Sequence, residues 1–323
     1  MKAIIFDDTE THALHWQDVP DPVPKEGEVL VRVQAAGVNR ADLSQRAGHY
    51  PPPPGASEIL GLEVSGSVTQ LGPGVTGTEV GEKVCALLSG GGYAELATVP
   101  VGLLLPVPEG WSMVEAAGLP EVFLTAHLNL FLEAGLQAGE TVLIHGGASG
   151  VGTAAIQLAR EAGARVYATA GTPEKVRMCE SLGATAFNYK ETDFADAVQK
   201  HTEGVDVILD MVGQDYFARN LALLRTGGRL VVIATLSGTH AEFDLRQLMG
   251  KRLTLKGSTL RSRPLGERVQ LTEAFMKRFG SALSEGRLKP VIDEVVPIEN
   301  AERAHDRMQQ NLNIGKLVLQ VAE

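Results

Sequence analysis

The residues most able to do chemistry lie at His145-Gly146-Gly147-Ala148-Ser149-Gly150-Val151-Gly152. An apolar stretch precedes them and an amphipathic one follows. A pyrophosphate needs close backbone approach and free N–H groups at a helix start, and side chains block that approach. A glycine triplet alone is weak; here strand, turn, helix and a second strand follow in order, the context the motif requires. The second signal is Ala170-Gly171-Thr172-Pro173-Glu174-Lys175, at the end of that second strand. No acid ends the strand to hold a ribose 2′-hydroxyl. Thr172 and Lys175 stand where a 2′-phosphate would be bound, which favours NADPH over NADH even though Glu174 lies between them. Lys175 also reads as a solvated helix lysine. Tyr189, at the end of the third strand, either faces the same crevice or caps the strand.

These loops need a parallel sheet to hold them. From about residue 123 strand and helix alternate with short connections. Strands are read at Thr141–His145, Arg165–Thr169, Ala186–Tyr189, Val205–Val212, Gly228–Thr235 and Arg252–Leu260. Val151, Ala155, Leu158, Ala159 and Ala162 give the first helix its apolar spacing. Thr172 caps the next, with Pro173 at its first position and Gly183 ending it. Asp193 caps a third, and Asp215–Leu224 is a fourth. Residues 1 to 122 differ in texture. Lys2–Phe6, Glu28–Val38, Val64–Leu71 and Tyr93–Val99 read as strands, and Pro51–Pro54 with Gly55 as a stiff loop. After residue 264 a long helix runs to Glu285, then strand, helix and a last strand, Lys316–Val321.

Composition excludes several classes. The chain has 323 residues, enough for about two domains, with 44% hydrophobic and 21% charged residues. Its net charge of −10 argues against nucleic acid, which needs clustered positive charge. No apolar run approaches the roughly 18 residues of a membrane span, and the N-terminus turns acidic at Asp7-Asp8 after four apolar residues. Cys85 and Cys179 cannot build a disulfide framework. The expectation is a reduced, cytoplasmic protein with inert thiols.

At this point the chain resembles the medium-chain dehydrogenase/reductase superfamily over its full length. Within it the chain is similar to zinc-independent quinone oxidoreductases, in particular the zeta-crystallin-like branch of the p53-inducible quinone oxidoreductase. The matching segments are Val38–Leu43, Gly48-His49-Tyr50 with the proline run, Gly61-Leu62-Glu63, Pro120-Glu121, His145–Gly152, Phe187-Asn188-Tyr189, Leu260–Arg263 and Asn313–Lys316. The resemblance implies an α/β protein. Residues 1–122 and 264–323 would form a GroES-like β-rich catalytic domain, and 123–263 an inserted Rossmann domain with NADPH in the cleft.

The resemblance also implies the site. Zinc-dependent relatives carry Cys where this chain has Asn39 and His where it has Leu62. Zinc needs three ligands of the right type, so no metal is expected. Tyr50 is the first candidate for substrate contact or proton donation, or it only packs. Asn39 and Ser149 are candidates for contact with substrate or cofactor; otherwise each is a turn residue. The cofactor set is Asn39, Tyr50, Thr125, Gly147, Ser149, Gly150, Val151, Gly152, Gly171, Thr172, Lys175, Tyr189, Leu236, Leu260 and Lys316. A surface position is the plainer reading of Lys316. Asp42 is read as structural and His49 as exposed; Arg261 and Arg263 either line the cleft entrance or bind phosphate, or, as the plainer reading, are only solvated loop charges. The implied activity is NADPH-dependent reduction of a quinone, whose delocalised charge needs no Lewis acid. An enone or enoyl-thioester reductase, or a non-catalytic NADPH-binding protein, are the alternatives. A homodimer through the edge strand Arg252–Leu260 is expected.

Overall fold

The computed structural model describes residues 1–7 and 12–321, so Asp8 of the acidic turn lies outside the described residues. The chain divides into two compact units, Met1–Leu124 with Arg261–Glu323, and Thr125–Leu260. The first joint thus falls two residues after the one read from sequence, the second three residues before.

The N-terminal part of unit 1 holds β1 (Lys2–Phe6), β2 (Leu14–Asp18), β3 (Glu28–Val38), α1 (Arg40–Arg46), β4 (Glu63–Leu71), β5 (Lys83–Leu87), β6 (Leu96–Pro100), β7 (Leu104–Pro106) and α2 (Met113–Ala117). It ends within α3 (Pro120–His127). β3 organises the unit, pairing antiparallel with β4, with β6 and with the C-terminal strand. Its valines alternate inward with those of β4 to build a core of Val29, Val31, Val33, Val64 and Val68, as a sheet with one buried face requires. The strand read at Tyr93–Val99 is displaced to Leu96–Pro100. Tyr93 is instead fully buried beside an isolated bridge between Ala3 and Ala94.

Unit 2 contains β8 (Thr141–Ile144), α4 (Gly150–Glu161), β9 (Arg165–Ala170), α5 (Pro173–Ser181), β10 (Thr185–Asn188), α6 (Phe194–Gln199), β11 (Val205–Asp210), α7 (Gln214–Leu223), β12 (Leu224–Val232), α8 (Leu245–Gly250) and β13 (Thr254–Gly257). The strands run in the order β10-β9-β8-β11-β12-β13, all parallel. β8 and β11 at the centre carry Val142, Leu143, Ile144, Val207, Ile208 and Leu209, all fully buried. Covered on both faces, such strands need no polar alternation. The caps fall as the residue types dictate: the Thr172 hydroxyl accepts from Lys175 N, and Asp193 accepts from Ala195 N and Asp196 N. The edge strand β13 is shorter than the stretch Arg252–Leu260. Arg252 takes φ 50 and cannot start it.

Unit 1 closes with α9 (Leu265–Ser284), β14 (Ile292–Pro297), α10 (Ala301–Gln309) and β15 (Lys316–Gln320). β15 lies between β14 and β3, so the chain's last strand is internal to the sheet. Among the described residues no helix is long and apolar enough to cross a membrane.

Candidate active site

In unit 2 the connections from β8 and β11 leave the sheet in opposite directions, which opens a crevice beyond their C-terminal ends. The glycine turn sits there. Gly146 takes φ 62, and a Cβ on it would meet Met211 Sδ of the β11 loop at 2.7 Å. A Cβ on Gly152 would lie 2.2 Å from the Gly146 carbonyl oxygen, and one on Gly147 2.8 Å from the Ala168 side chain. Three glycines thus let strand, turn and helix close on one another. Ser149 is the N-cap of α4, its hydroxyl accepting from Gly152 N at 3.0 Å. Gly150 and Val151 open the helix, where N–H groups have no intrahelical acceptor and the helix dipole favours an anion.

Of the other expected cofactor residues of unit 2, Gly171, Thr172, Tyr189, Leu236 and Leu260 follow the C-terminal ends of β9, β10, β12 and β13 at this end of the sheet, whereas Thr125 lies within α3. Tyr189 N donates to Ala170 O, and the Tyr189 hydroxyl lies over Gly171, where an added Cβ would meet it at 2.6 Å. Tyr189 is 44% exposed and Thr172 is exposed, so both face solvent around this corner. Leu236, 56% exposed, follows β12 and donates its N–H to Met211 O. Thr125 and Leu260 are the first and last residues of the unit. The Thr125 carbonyl accepts from Asn129 Nδ2, and Leu260 is buried. These residues fit a dinucleotide: an open helix start, a turn cleared of side chains, and an aromatic hydroxyl over the second strand's end.

A buried network under the turn was not legible as a unit in the sequence. His145 bridges Thr169 Oγ1 (3.1 Å) and Asn220 Oδ1 (2.7 Å), and Asn220 Nδ2 donates to Asp210 Oδ2. Asp210 Oδ1 accepts from Val212 N and Gly213 N. Burial pulls the imidazole down to about 4, so it is neutral here and acts as a rigid strut between β8, β9, α7 and β11. The signal was an acid, Asp210, directly after the buried apolar run Val207-Ile208-Leu209.

Unit 1 carries a second polar cluster, built around a buried ion pair. Lys316 is 2% exposed and Glu63 0%. The ammonium reaches Glu63 Oε1 at 2.5 Å, Asn39 Oδ1 at 2.7 Å and Val38 O at 2.8 Å. This corrects the surface reading of Lys316, and its three donors are all engaged inside the unit, leaving none for a nucleotide. Asn39 is likewise held, its Nδ2 donating to Glu63 Oε1 and Gly37 O. Gly37 must be glycine, since a Cβ would lie 2.2 Å from Glu63 Oε1. Asp42 is structural as read: it accepts from Asn39 N, Gly61 N and the Tyr93 hydroxyl. Burial still lifts its carboxyl to about 6.

Arg261 departs from its sequence reading. It is 4% exposed rather than solvated. It donates to Ser89 O, Tyr50 O and Gln45 Oε1, and its guanidinium lies 5.4 Å from the Tyr50 ring centroid. Tyr50 is therefore a half-buried ring pinned by a cation. His49 beside it is exposed. Burial raises the Tyr50 hydroxyl above its usual 10, with the charge of Glu121 adding to the rise. Glu121, at the start of α3, was noted in sequence only as part of a matching segment. Its N–H donates to Glu63 Oε2 at 2.8 Å, while its own Oε2 is sealed from solvent with no hydrogen-bond partner. Both cysteines are buried, and burial pushes the Cys179 thiol up to about 12 and the Cys85 thiol higher still, so both are inert.

Comparison with known proteins places these features in a family. Residues 150–277 match the model described as zinc-binding dehydrogenase, and residues 25–109 the alcohol dehydrogenase GroES-like domain. A quinone oxidoreductase of Sus scrofa is 35% identical over 94% of this chain and 92% of its own length. A quinone oxidoreductase of Thermus thermophilus, solved also with NADPH, superposes with a TM-score of 0.84 at 36% identity, covering 99% of this chain and all of its own. An NAD-dependent alcohol dehydrogenase gives 0.88 at 32% identity, with full coverage of both chains.

Proposed function

The chain belongs to the medium-chain dehydrogenase/reductase superfamily, an oxidoreductase family that works with a nicotinamide cofactor, and from that premise we propose that it uses NADPH to reduce quinones without a metal. The observation that carries the cofactor choice is the end of β9. Ala170-Gly171 offers no carboxylate to a ribose 2′-hydroxyl, the Tyr189 hydroxyl lies over Gly171, and Thr172 and Lys175 follow at the start of α5 as the groups for a 2′-phosphate.

The metal-free reading rests on donor chemistry. Where zinc-dependent relatives place Cys and His, this chain has Asn39, whose amide is held by Lys316 and Glu63, and Leu62, which is buried. An amide already engaged with an ammonium and an aliphatic side chain do not make a zinc site. Bound NADPH supplies a hydride equivalent. The chain's own residues then have three tasks. Gly150 and Val151 hold the diphosphate by their N–H groups; Thr172, Lys175 and Tyr189 hold the 2′-phosphate; Tyr50, fixed by Arg261, gives a flat acceptor ring a surface to lie against.

Titration of NADPH and NADH side by side tests the cofactor assignment. NADPH is expected to bind at least about tenfold tighter, a difference of roughly 1.4 kcal/mol. Lys175→Ala should remove most of that preference and leave NADH affinity unchanged. Equal affinities in the wild type would remove NADPH from the reading.

A further inference from the structure

Reduction of a quinone to a hydroquinone takes one hydride and one proton. Under the reading above the hydride and its electron pair come from a dihydronicotinamide; the proton has no assigned source. Tyr50 is a poor one, because its hydroxyl is held above an already high ordinary value of 10, and efficient acids at neutral pH ionise near neutrality.

We propose that Glu121, at the start of α3 beside the buried Glu63–Lys316 pair, is the acid that delivers this proton to the oxygen of the reduced acceptor. The proposal rests on the quinone-reductase reading and deepens it. Glu121 bears on one buried ion pair and on one cation–ring contact. On one side its backbone N–H holds Glu63, the partner of Lys316; on the other its carboxyl acts electrostatically on Tyr50 and Arg261. Its Oε2 is buried without a partner. An ionised carboxylate left so is costly, whereas a protonated carboxyl is tolerated. The groups that act on it come from several elements: Glu63 from β4, Asp42 from α1, Lys316 from β15, Arg261 and Tyr50 from loops, and Arg268 from α9. Burial and the charge of Glu63 outweigh Lys316 and Arg261, and the carboxyl is lifted to about 8. It therefore carries its proton through neutral pH and loses it as the pH rises through that value.

The step balances. The Glu121 O–H bond breaks, an O–H bond on the reduced acceptor forms, and the carboxylate regains a proton from water. Two readouts test it. In cofactor-free protein, infrared difference spectra across the neutral to alkaline range should show one buried protonated carboxyl ionising at about pH 8, and Glu121→Gln should lack it. In turnover with NADPH and a para-quinone, Glu121→Gln should lose about 100-fold in kcat/KM. Its alkaline limb should disappear, its NADPH affinity and melting temperature should stay unchanged, and Glu121→Asp should recover part of the rate. A wild type that turns over while Glu121→Gln keeps the full rate and the same pH profile overturns this inference and leaves the quinone reading standing. Absence of that infrared signal from the wild type also overturns it. A wild type that reduces no quinone or conjugated enone removes the parent reading, and this one with it.

Discussion

Lys316→Met should destabilise unit 1 by about 3–5 kcal/mol, the cost of leaving a fully buried carboxylate without its cation. Glu63 is 0% exposed, and its Oε1 accepts from both Lys316 Nζ and Asn39 Nδ2. Water cannot replace the ammonium without opening the sheet where β15 meets β3. The pair joins the chain's last strand to residues 38, 39 and 63, so its loss strikes the closure between the N- and C-terminal parts of the unit. Both tryptophans, Trp16 and Trp111, lie in unit 1, and their fluorescence during urea unfolding reports that unit alone. The charge argument makes a second, sharper demand. Lys316→Met combined with Glu63→Gln should be more stable than Lys316→Met by itself, because the unpaired charge is gone. Additive losses would show that packing, and not charge, is what the lysine supplies.

Gly152→Ala should lower stability by about 1–3 kcal/mol and weaken dinucleotide binding at least about tenfold. The three atoms nearest the added Cβ are all backbone: the Gly146 oxygen at 2.2 Å and the Gly147 carbonyl carbon and Cα at 2.7 Å. No flexible side chain can yield there, so the glycine turn must move away from α4. That motion pulls the turn off the helix start whose N–H groups would hold the diphosphate. Gly250→Ala is the control. Gly250 lies in α8 with nothing within 4 Å of an added Cβ. Alanine there should be neutral or stabilising by up to about 1 kcal/mol. If Gly152→Ala binds dinucleotide as well as Gly250→Ala does, the turn is a packing device and not a phosphate cradle.

The sequence was most legible where one local rule decided the outcome. The glycine turn, Thr172 and Pro173 at the start of α5, Asp193 before α6 and the buried strands β8 and β11 all follow from chain-local signals. The Ser112-x-x-Glu115 capping box was equally local, and it marks the short helix α2 that periodicity alone did not reveal. The polar cluster of unit 1 was illegible for a different reason. Lys316, Glu63 and Asn39 are separated by up to 277 positions, and only the pairing of β15 with β3 brings them together. A lysine opening Lys316-Leu-Val-Leu reads as a surface charge until its strand proves internal. Arg261 misled in the same way: a loop arginine looks solvated until Ser89, Gln45 and Tyr50 are found around it. Charges at the first or last position of a strand were the available hint: Glu63 opens β4, Lys316 opens β15 and Asp210 ends β11.

One measurement tests the central claim most directly: oxidation of NADPH by purified protein with a para-quinone, with and without a strong metal chelator. The account predicts steady oxidation of one NADPH per quinone reduced, at the same rate with chelator present. No oxidation with any quinone would contradict it. So would a rate abolished by the chelator and restored by zinc, because Asn39 and Leu62 would then have been misread.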